Sequence, residues 1–300
     1  MAIDENRILK SIRKLEKFAR KAPRRPPPEK IHRLRTNARK VETSLEALAL
    51  DSRKTERRAI KEIRKVHRRA GKIRDMDVLT GYLATLHMDE EQDCEIQVFE
   101  HLGAERQKQA KKLRRVLVKE DGYFIKRLRK TSADVRTVLE DTGSAPKAVS
   151  EAAATALQLS SELAATEKFH RGNLHPYRLK VKRLRYLLQM ADDSGDQRFV
   201  DELGRVKDAI GEWHDWEELV AITRDVLDHG AACKLVRKLK DIADSKYNTA
   251  IESAENLRNV YLRPATRKRA RSAKPDSHLL ASSVLAATSA LTGSVHRRAA

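Results

Sequence analysis

The strongest constraint on the fold is a helical period, because apolar residues recur at steps of three and four along most of the chain. Positions with this spacing lie on one face of an α-helix, where they can be buried together. In the first such segment, Ile8, Ile12, Leu15 and Phe18 form the stripe that we expect to pack against a core. Only 11 glycines and 8 prolines occur in 300 residues, so the sequence predicts an all-α chain.

The breaks in this period divide the chain into helices and three regions. Helices are predicted over residues 3–21, 29–50, 52–70, 74–87, 90–118, 123–140, 149–169, 175–191, 197–210, 213–229 and 233–261. The prolines between residues 23 and 28 form a stiff linker after the first helix. The loop at 141–146 is the best domain boundary. The predicted regions are an N-terminal helical half over 1–145, a C-terminal helical half over 146–263, and a basic, Ser/Ala-rich tail over 264–300.

The chain is strongly basic, with 63 Lys and Arg against 43 Asp and Glu, a net charge of +20 and a pI near 10.0. Such an excess of positive charge attracts anions, so nucleic acid, acidic lipid headgroups and phosphate polymers are the leading partner classes. The hydrophobic content of 40% is enough for a real core and argues against wholesale disorder. The tail after Pro264 is either a disordered basic segment or an amphipathic segment that docks on a partner.

The remaining composition predicts the compartment and excludes some chemistry. The first residues lack the basic-then-apolar order of a secretory signal, and no apolar run approaches the length of a membrane span. We therefore expect a soluble, cytoplasmic protein. Cys94 and Cys233 are far apart in the sequence and match neither a disulfide framework nor a metal-ligand cluster. No metal or cofactor is predicted.

An internal repeat indicates the architecture more directly than any single motif. The segments that begin at His32 and at His175 both follow the pattern His-x-x-Arg-x-x-x-Lys/Arg-Lys/Arg. Further along each copy, a glycine stands four residues before an aspartate: Gly71 and Asp75 in the first, Gly211 and Asp215 in the second. Two motif pairs in the same order indicate a duplication whose halves meet near residue 145.

The glycine of each second motif predicts a helix end, and the aspartate that follows is placed to cap the next helix. Alternatively, each aspartate orients the basic residue that precedes it, Arg74 or His214, toward a ligand. Asp77 and Glu217 could suggest a metal site, but no set of ligands with a recognisable spacing surrounds them.

Helical spacing places the basic residues of each first motif in a row on one face, with apolar residues on the opposite face. The first row is His32, Arg35 and Arg39, with Leu34, Ala38, Val41 and Leu45 behind it. The second row is His175, Arg178, Lys182 and Arg185, with Tyr177, Val181, Leu184 and Leu188 behind it. Cations one helical turn apart suit an extended polyanion. A basic face is often only a solvated surface, but its duplication behind a histidine favours a ligand-binding role.

These motifs resemble those of the CHAD family, the conserved-histidine α-helical domains. The resemblance rests on four ordered segments, at residues 32–40, 71–78, 175–186 and 211–215, and it covers roughly residues 5–262. It implies two helical bundles, related by a pseudo-two-fold axis, that face each other across a basic cavity. It also implies binding of inorganic polyphosphate and association with polyphosphate granules. Such domains often accompany a CYTH triphosphate tunnel enzyme, whereas we expect this chain to be a stand-alone member.

The resemblance implies a set of basic residues that line the cavity and bind phosphate. These residues are His32, Arg35, Arg39, Lys40, Arg74, His175, Arg178, Lys182, Arg183, Arg185 and His214. Family members commonly have another arginine after the paired bases of the first motif, where this chain has Glu42. We therefore expect the first half to contribute less positive charge than the second.

The predicted function is non-enzymatic binding of polyphosphate, with affinity that falls steeply with salt and rises below pH about 6.5 as histidines protonate. The alternative is a helical protein that binds nucleic acid or polyanions in general. It has less support because aromatic residues are few, and Trp213 and Trp216 suit packing as well as base stacking. An enzyme acting on polyphosphate would need a Walker loop, an acidic metal cluster or a nucleophile–base pair, and none is recognisable.

Overall fold

A computed structural model of the protein describes residues 5–47, 54–86, 91–118, 122–140, 145–190, 197–229 and 233–263. Over these residues the chain forms nine α-helices and no strand, which confirms the all-α class. The helices are α1 (Glu5–Lys21), α2 (Pro28–Ala47), α3 (Lys54–Leu83), α4 (Gln92–Val118), α5 (Tyr123–Glu140), α6 (Ala145–Ala164), α7 (Arg171–Met190), α8 (Gln197–Val226) and α9 (Lys234–Asn256). The predicted tail over 264–300 lies outside the described residues. Among the described helices, none combines the length and apolar character that crossing a membrane requires.

The apolar stripes predicted from the helical period are largely buried. On α1, Ile8, Ile12 and Leu15 are buried, whereas Phe18 is half-buried. The stripes behind the two basic rows are buried at every predicted position: Leu34, Ala38, Val41 and Leu45 on α2, and Tyr177, Val181, Leu184 and Leu188 on α7. Both helices therefore bury their apolar face, and the basic rows lie beside these stripes, where they are half-buried or exposed.

The predicted helix breaks at Gly71 and Gly211 are wrong. Gly71 lies inside α3 and Gly211 lies inside α8, and both helices continue through the glycine without a turn. No helix begins near Asp75 or Asp215, so the predicted capping role of these aspartates is also wrong. A glycine inside a helix costs about 1 kcal/mol relative to alanine. Here a tertiary contact offsets that cost, because an arginine side chain lies against each glycine.

The N-terminus of α7 is fixed by a reciprocal cap. The backbone N–H of His170 donates to Asn173 Oδ1 (2.9 Å), and the N–H of Gly172 donates to His170 Nδ1 (3.2 Å). These bonds satisfy amides that have no partner within the helix. As a result α7 begins at Arg171, earlier than the predicted start at His175, and His175 lies in its second turn.

The chain divides into two compact units. Among the described residues, the N-unit comprises those of Asp4–Ala145 and Ala221–Arg237, and the C-unit comprises those of Pro146–Val220 and of 238–263. In the N-unit, α3 packs along α2 and α4, while α1 packs against α2 and α5. In the C-unit, the core contains apolar residues of α6, α7, α8 and α9, including the fully buried Leu163, Val181, Leu203 and Ala250.

Candidate functional site

The basic row of α7 lies beside α8 within the C-unit. His175, Arg178 and Lys182 are all half-buried. His175 and Arg178 contact residues of α8 between Lys207 and His214. The structure therefore brings together residues that the first and second motifs of this half predicted separately.

Arg178 is held by the backbone of α8. Its Nε donates to the carbonyl oxygen of Lys207 (3.1 Å). Its guanidinium lies over Gly211, where the Cβ of any other residue would come within 3.0 Å of Arg178 Cζ. Within the described part of the chain, Arg178 forms no ion pair with a carboxylate. Its terminal nitrogens are therefore available to bind an anion.

Two histidines adjoin this arginine. The ring centroids of His175 and His214 are 4.9 Å apart, and Nδ1 of His175 is buried with no hydrogen-bond partner among the described residues. Burial lowers the pKa of His175, and the positive charges of Arg178 and Lys182 lower it further. Burial, followed by His175 and Arg178, also lowers the pKa of His214, against an opposing contribution from Glu217. Both rings are therefore mainly neutral at pH 7 in the ligand-free protein.

Arg185 makes the same kind of contact further along α7. Its Nε donates to the carbonyl oxygen of Val200 (3.3 Å), and a Cβ at Gly204 would lie 3.3 Å from this Nε. Gly204 and Gly211 are two turns apart on α8, so they share one face of that helix. Arg183, which is implied as a site residue by the family resemblance but lies outside this row, is exposed.

In the N-unit, Arg35 of α2 lies against α3. A Cβ at Gly71 would lie 3.3 Å from Arg35 Nε, and this Nε is buried without a hydrogen-bond partner among the described residues. The other predicted residues of this half are less enclosed: His32 and Lys40 are exposed, and Arg39 and Arg74 are half-buried. Over the described ranges, no hydrogen bond joins His32, Lys40 or Arg74 to Arg35.

Glu42 occupies the motif position at which the second copy has Arg185. Its carboxylate is paired with basic side chains of α3. It accepts a hydrogen bond from Arg64 Nε (3.0 Å), and its second oxygen lies 2.9 Å from His67 Nδ1. Arg64 also pairs with Glu46. Burial alone would raise the pKa of Glu42, but the hydrogen bonds from His67 and Arg64 outweigh burial and lower it. Glu42 is therefore ionised and offsets basic charge on α3.

One set of possible metal ligands overlaps the site of the C-unit. The ligand atoms of His214, Asp215 and Glu218 lie within 4.8 Å of one another. The spacing of the sequence did not indicate this set. The charge of Arg178 opposes a cation here, since it already lowers the pKa of His214. His175 and Arg178 thus oppose a cation at His214, whereas the carboxylates of Asp215 and Glu218 favour one.

A basic cavity in the N-unit was not predicted from the sequence. It has a volume of about 250 Å³ and is lined by Arg24, Arg25, Gly103, Arg106, Gln107 and Ala110. Arg106 is fixed there by hydrogen bonds to Asp77 Oδ1 (2.6 Å) and to the carbonyl oxygen of Pro26 (2.8 Å). Its lining residues come from the proline linker and from α4, so no local spacing could have revealed the cavity.

Comparisons with known proteins agree with this architecture. The model of the CHAD domain family matches residues 6–224 of the chain. The chain is also similar to the crystal structure of the CHAD domain from the plant Ricinus communis, with a TM-score of 0.53 and 17% sequence identity over 93% of this chain and 88% of that chain. At this identity the likeness concerns the fold. Comparison with curated proteins gives no match.

Proposed function

The chain belongs to the CHAD family, and we propose that it binds inorganic polyphosphate without cleaving it. The basic row of α7, together with His214, is the proposed contact surface in the C-unit. In the N-unit, the proposed contact surface consists of the basic row of α2 together with Arg74 of α3. Association with polyphosphate granules in the cytoplasm is part of the same proposal.

The observation that carries the proposal is that Arg178 is oriented by backbone contacts and has no carboxylate partner within the described residues. Arg35 and Arg185 are likewise placed against glycines, and neither pairs with a carboxylate over the same part of the chain. Phosphate oxygens are the natural partners of such groups, because the guanidinium fork binds them bidentately.

The geometry of α7 favours a polymer over a single small anion. Arg178 and Arg185 both face α8, and seven residues of α-helix span about 10 Å. A chain of phosphates can contact both guanidinium groups at once, whereas one phosphate ion is too small to reach both. Lys182, between them on the same face, adds a further positive charge.

We further propose that the two halves of the chain, which meet near residue 145, derive from a duplication. In support, the arginine of each first motif lies against the glycine of its second motif, Arg35 on Gly71 and Arg178 on Gly211. A shared tertiary contact is stronger support than a shared spacing, since it requires the same packing of two helices. The basic cavity between the halves, which the family resemblance implies, stays a prediction.

The competing function is binding of nucleic acid. Trp213 and Trp216 are the residues best suited to stack on bases, but both are buried, with exposed fractions of 4% and 5%. Neither indole therefore offers a face to an unpaired base. This burial favours recognition of bare phosphate over recognition of bases.

The proposal is tested by comparing two variants with similar changes in formal charge. His175→Asn, Arg178→Gln and Lys182→Gln together remove the row of α7, whereas Arg13→Gln with Lys14→Gln removes two exposed cations of α1. We expect the first variant to lose polyphosphate binding and keep its helical circular dichroism, and the second to bind nearly as the wild type does. Equal losses in the two variants would indicate only a general effect of charge. Cleavage of polyphosphate by the purified protein with magnesium or manganese would contradict the non-enzymatic role.

A further inference from the structure

The two cysteines, far apart in the sequence, meet in the N-unit. Cys94 lies in the first turn of α4, and Cys233 immediately precedes α9. Both side chains are buried and both thiols are free. His229, in the turn after α8, completes the cluster and is exposed to solvent. The sequence spacing of the two cysteines gave no indication of this arrangement.

The atoms of this cluster converge as metal ligands do. Cys94 Sγ lies 3.3 Å from His229 Nε2. The two sulfur atoms and one imidazole nitrogen all lie within 4.8 Å of one another. In a tetrahedral zinc site, Zn–S bonds of about 2.3 Å and Zn–N bonds of about 2.0 Å place neighbouring ligand atoms about 3.5 to 3.8 Å apart. A reduction of at most about 1 Å in their separations would therefore bring all three atoms into the first coordination shell.

In the metal-free protein, Glu91 orients the side chain of Cys233. The thiol of Cys233 donates to Glu91 Oε2 (3.1 Å), while the backbone N–H groups of Lys234 and Leu235 donate to Glu91 Oε1 (2.9 Å) and Oε2 (2.8 Å). Glu91 thus caps α9 and fixes the Cys233 side chain at the same time. The hydrogen bond from Cys233 needs the protonated thiol, so metal binding, which displaces that proton, also releases this bond.

We propose that Cys94, Cys233 and His229 bind a thiophilic divalent ion of the zinc class, with the fourth position open to water on the exposed side of His229. Thiolate and imidazole ligands select such ions over magnesium or calcium, which prefer oxygen ligands. Binding replaces the two thiol protons, which pass to solvent, and creates two metal–sulfur bonds and one metal–nitrogen bond. No change of oxidation state is required.

The proposed ion would join three parts of the N-unit that are distant in sequence. These parts are the start of α4, the turn after α8 and the start of α9. An ion that binds only the folded chain raises stability according to its concentration and affinity. The ion would therefore stabilise the N-unit, and none of its proposed ligands belongs to the basic rows.

The experiment uses the full chain, reduced and freed of metal by a chelator, and titrates it with Co²⁺ and then Zn²⁺. We expect one Co²⁺ per chain with a thiolate-to-cobalt charge-transfer band, displacement by Zn²⁺, and a rise in Tm with Zn²⁺. His229→Gln should weaken Zn²⁺ binding by about 100-fold or more, since loss of an outer partner alone costs 10- to 100-fold. His101→Gln, at an exposed histidine of α4, is the matched control and should bind as the wild type does.

His229 is the preferred variant because it is exposed, whereas replacement of the buried Cys94 or Cys233 could impair folding. The proposal is overturned if no charge-transfer band forms at stoichiometric Co²⁺, or if His229→Gln leaves Zn²⁺ affinity unchanged. It is also overturned if protein alkylated during cell lysis carries a Cys94–Cys233 disulfide, because disulfide sulfurs cannot act as thiolate ligands.

Discussion

At the scale of single residues, the proposed site depends on three glycines, because the lack of a side chain lets an arginine approach the helix backbone. Gly71, Gly204 and Gly211 each lie in a helix where an arginine of another helix rests against the backbone. This contact restricts the arginine before any ligand arrives, so less side-chain entropy is lost on binding. The glycines are thus part of the binding site although none of them can contact a phosphate through a side chain.

Gly211→Ala is expected to weaken polyphosphate binding several-fold without destabilising the protein. The new Cβ would overlap the end of the Arg178 side chain, which is flexible and can move away. The helix itself gains up to about 1 kcal/mol from alanine. Binding titrations and thermal unfolding of the same preparations measure the two effects separately.

The matched control is Gly81→Ala on α3, where a Cβ would meet no atom within 4 Å. It should bring the same gain in helix propensity and leave affinity unchanged. If Gly211→Ala binds polyphosphate as tightly as Gly81→Ala does, the position of Arg178 over the glycine is unimportant for binding.

The histidine pair predicts opposite effects of acid on the free and the bound protein. Because burial lowers the pKa of His175 and His214, the unfolded chain takes up protons that the folded chain resists as pH falls below about 6.5. The ligand-free protein should therefore lose stability over this window. Bound phosphates raise the histidine pKa values, so polyphosphate affinity should increase over the same window.

This pH effect is measured by titrating polyphosphate between pH 5.5 and 8 and by unfolding the free protein over the same range. Replacing both histidines by asparagine should flatten both profiles, whereas His101→Asn should leave them as in the wild type. Affinity that is independent of pH in the wild type would show that the histidines remain neutral in the complex.

At the scale of helices, the two basic rows differ at one pair of positions. On α7 and α8 an arginine faces a glycine, Arg185 on Gly204, whereas at the corresponding motif positions on α2 and α3 a carboxylate faces an arginine, Glu42 on Arg64. Among the described residues, only the first combination leaves the positive charge on the row without a carboxylate partner. The N-unit therefore has a weaker local field at this position.

Mutation of Glu42 and Arg64 can convert the pair in the N-unit to the combination found in the C-unit. Glu42→Arg alone should destabilise the protein, because the new guanidinium would adjoin Arg64 and His67. Adding Arg64→Gly should recover stability, with a favourable coupling on the order of 1 kcal/mol, and should raise polyphosphate affinity above that of the wild type. Urea unfolding and binding of the four proteins of the cycle give both quantities. A double variant that binds no better than the wild type would show that α2 does not contribute to the ligand surface here.

The helical elements were largely predictable from sequence because burial follows the helical period. The stripes of α2 and α7 are buried at each predicted position. The errors at Gly71 and Gly211 have one cause, since a local rule treats glycine as a helix end whereas here a distant arginine determines its role. Contacts of this kind depend on how helices pack, and no spacing within one helix records them.

The same limit applies to the sites. The motif predicted Arg35, Arg178 and Arg185, but it gave no sign of which of them the backbone would hold. The Cys94 and Cys233 cluster was missed because its residues are brought together only by tertiary folding.

At the scale of the whole molecule, a net charge of +20 attracts any polyanion. If charge alone determined affinity, nucleic acid and polyphosphate would bind equally well at equal phosphate content. The proposed selectivity must therefore come from the fixed guanidinium groups of the basic rows and from the absence of exposed tryptophan among the described residues. Selectivity, and not affinity, is the property that separates the proposed function from general binding of polyanions.

The most direct test is a titration of the full chain with long-chain polyphosphate, with triphosphate and single-stranded DNA as competitors, at two salt concentrations. The proposed function predicts that polyphosphate stays bound when DNA is present at equal phosphate content, that triphosphate competes weakly, and that affinity falls steeply with salt as counterions are released. Displacement of polyphosphate by DNA at equal phosphate content would contradict it and would identify the chain as a general polyanion-binding protein.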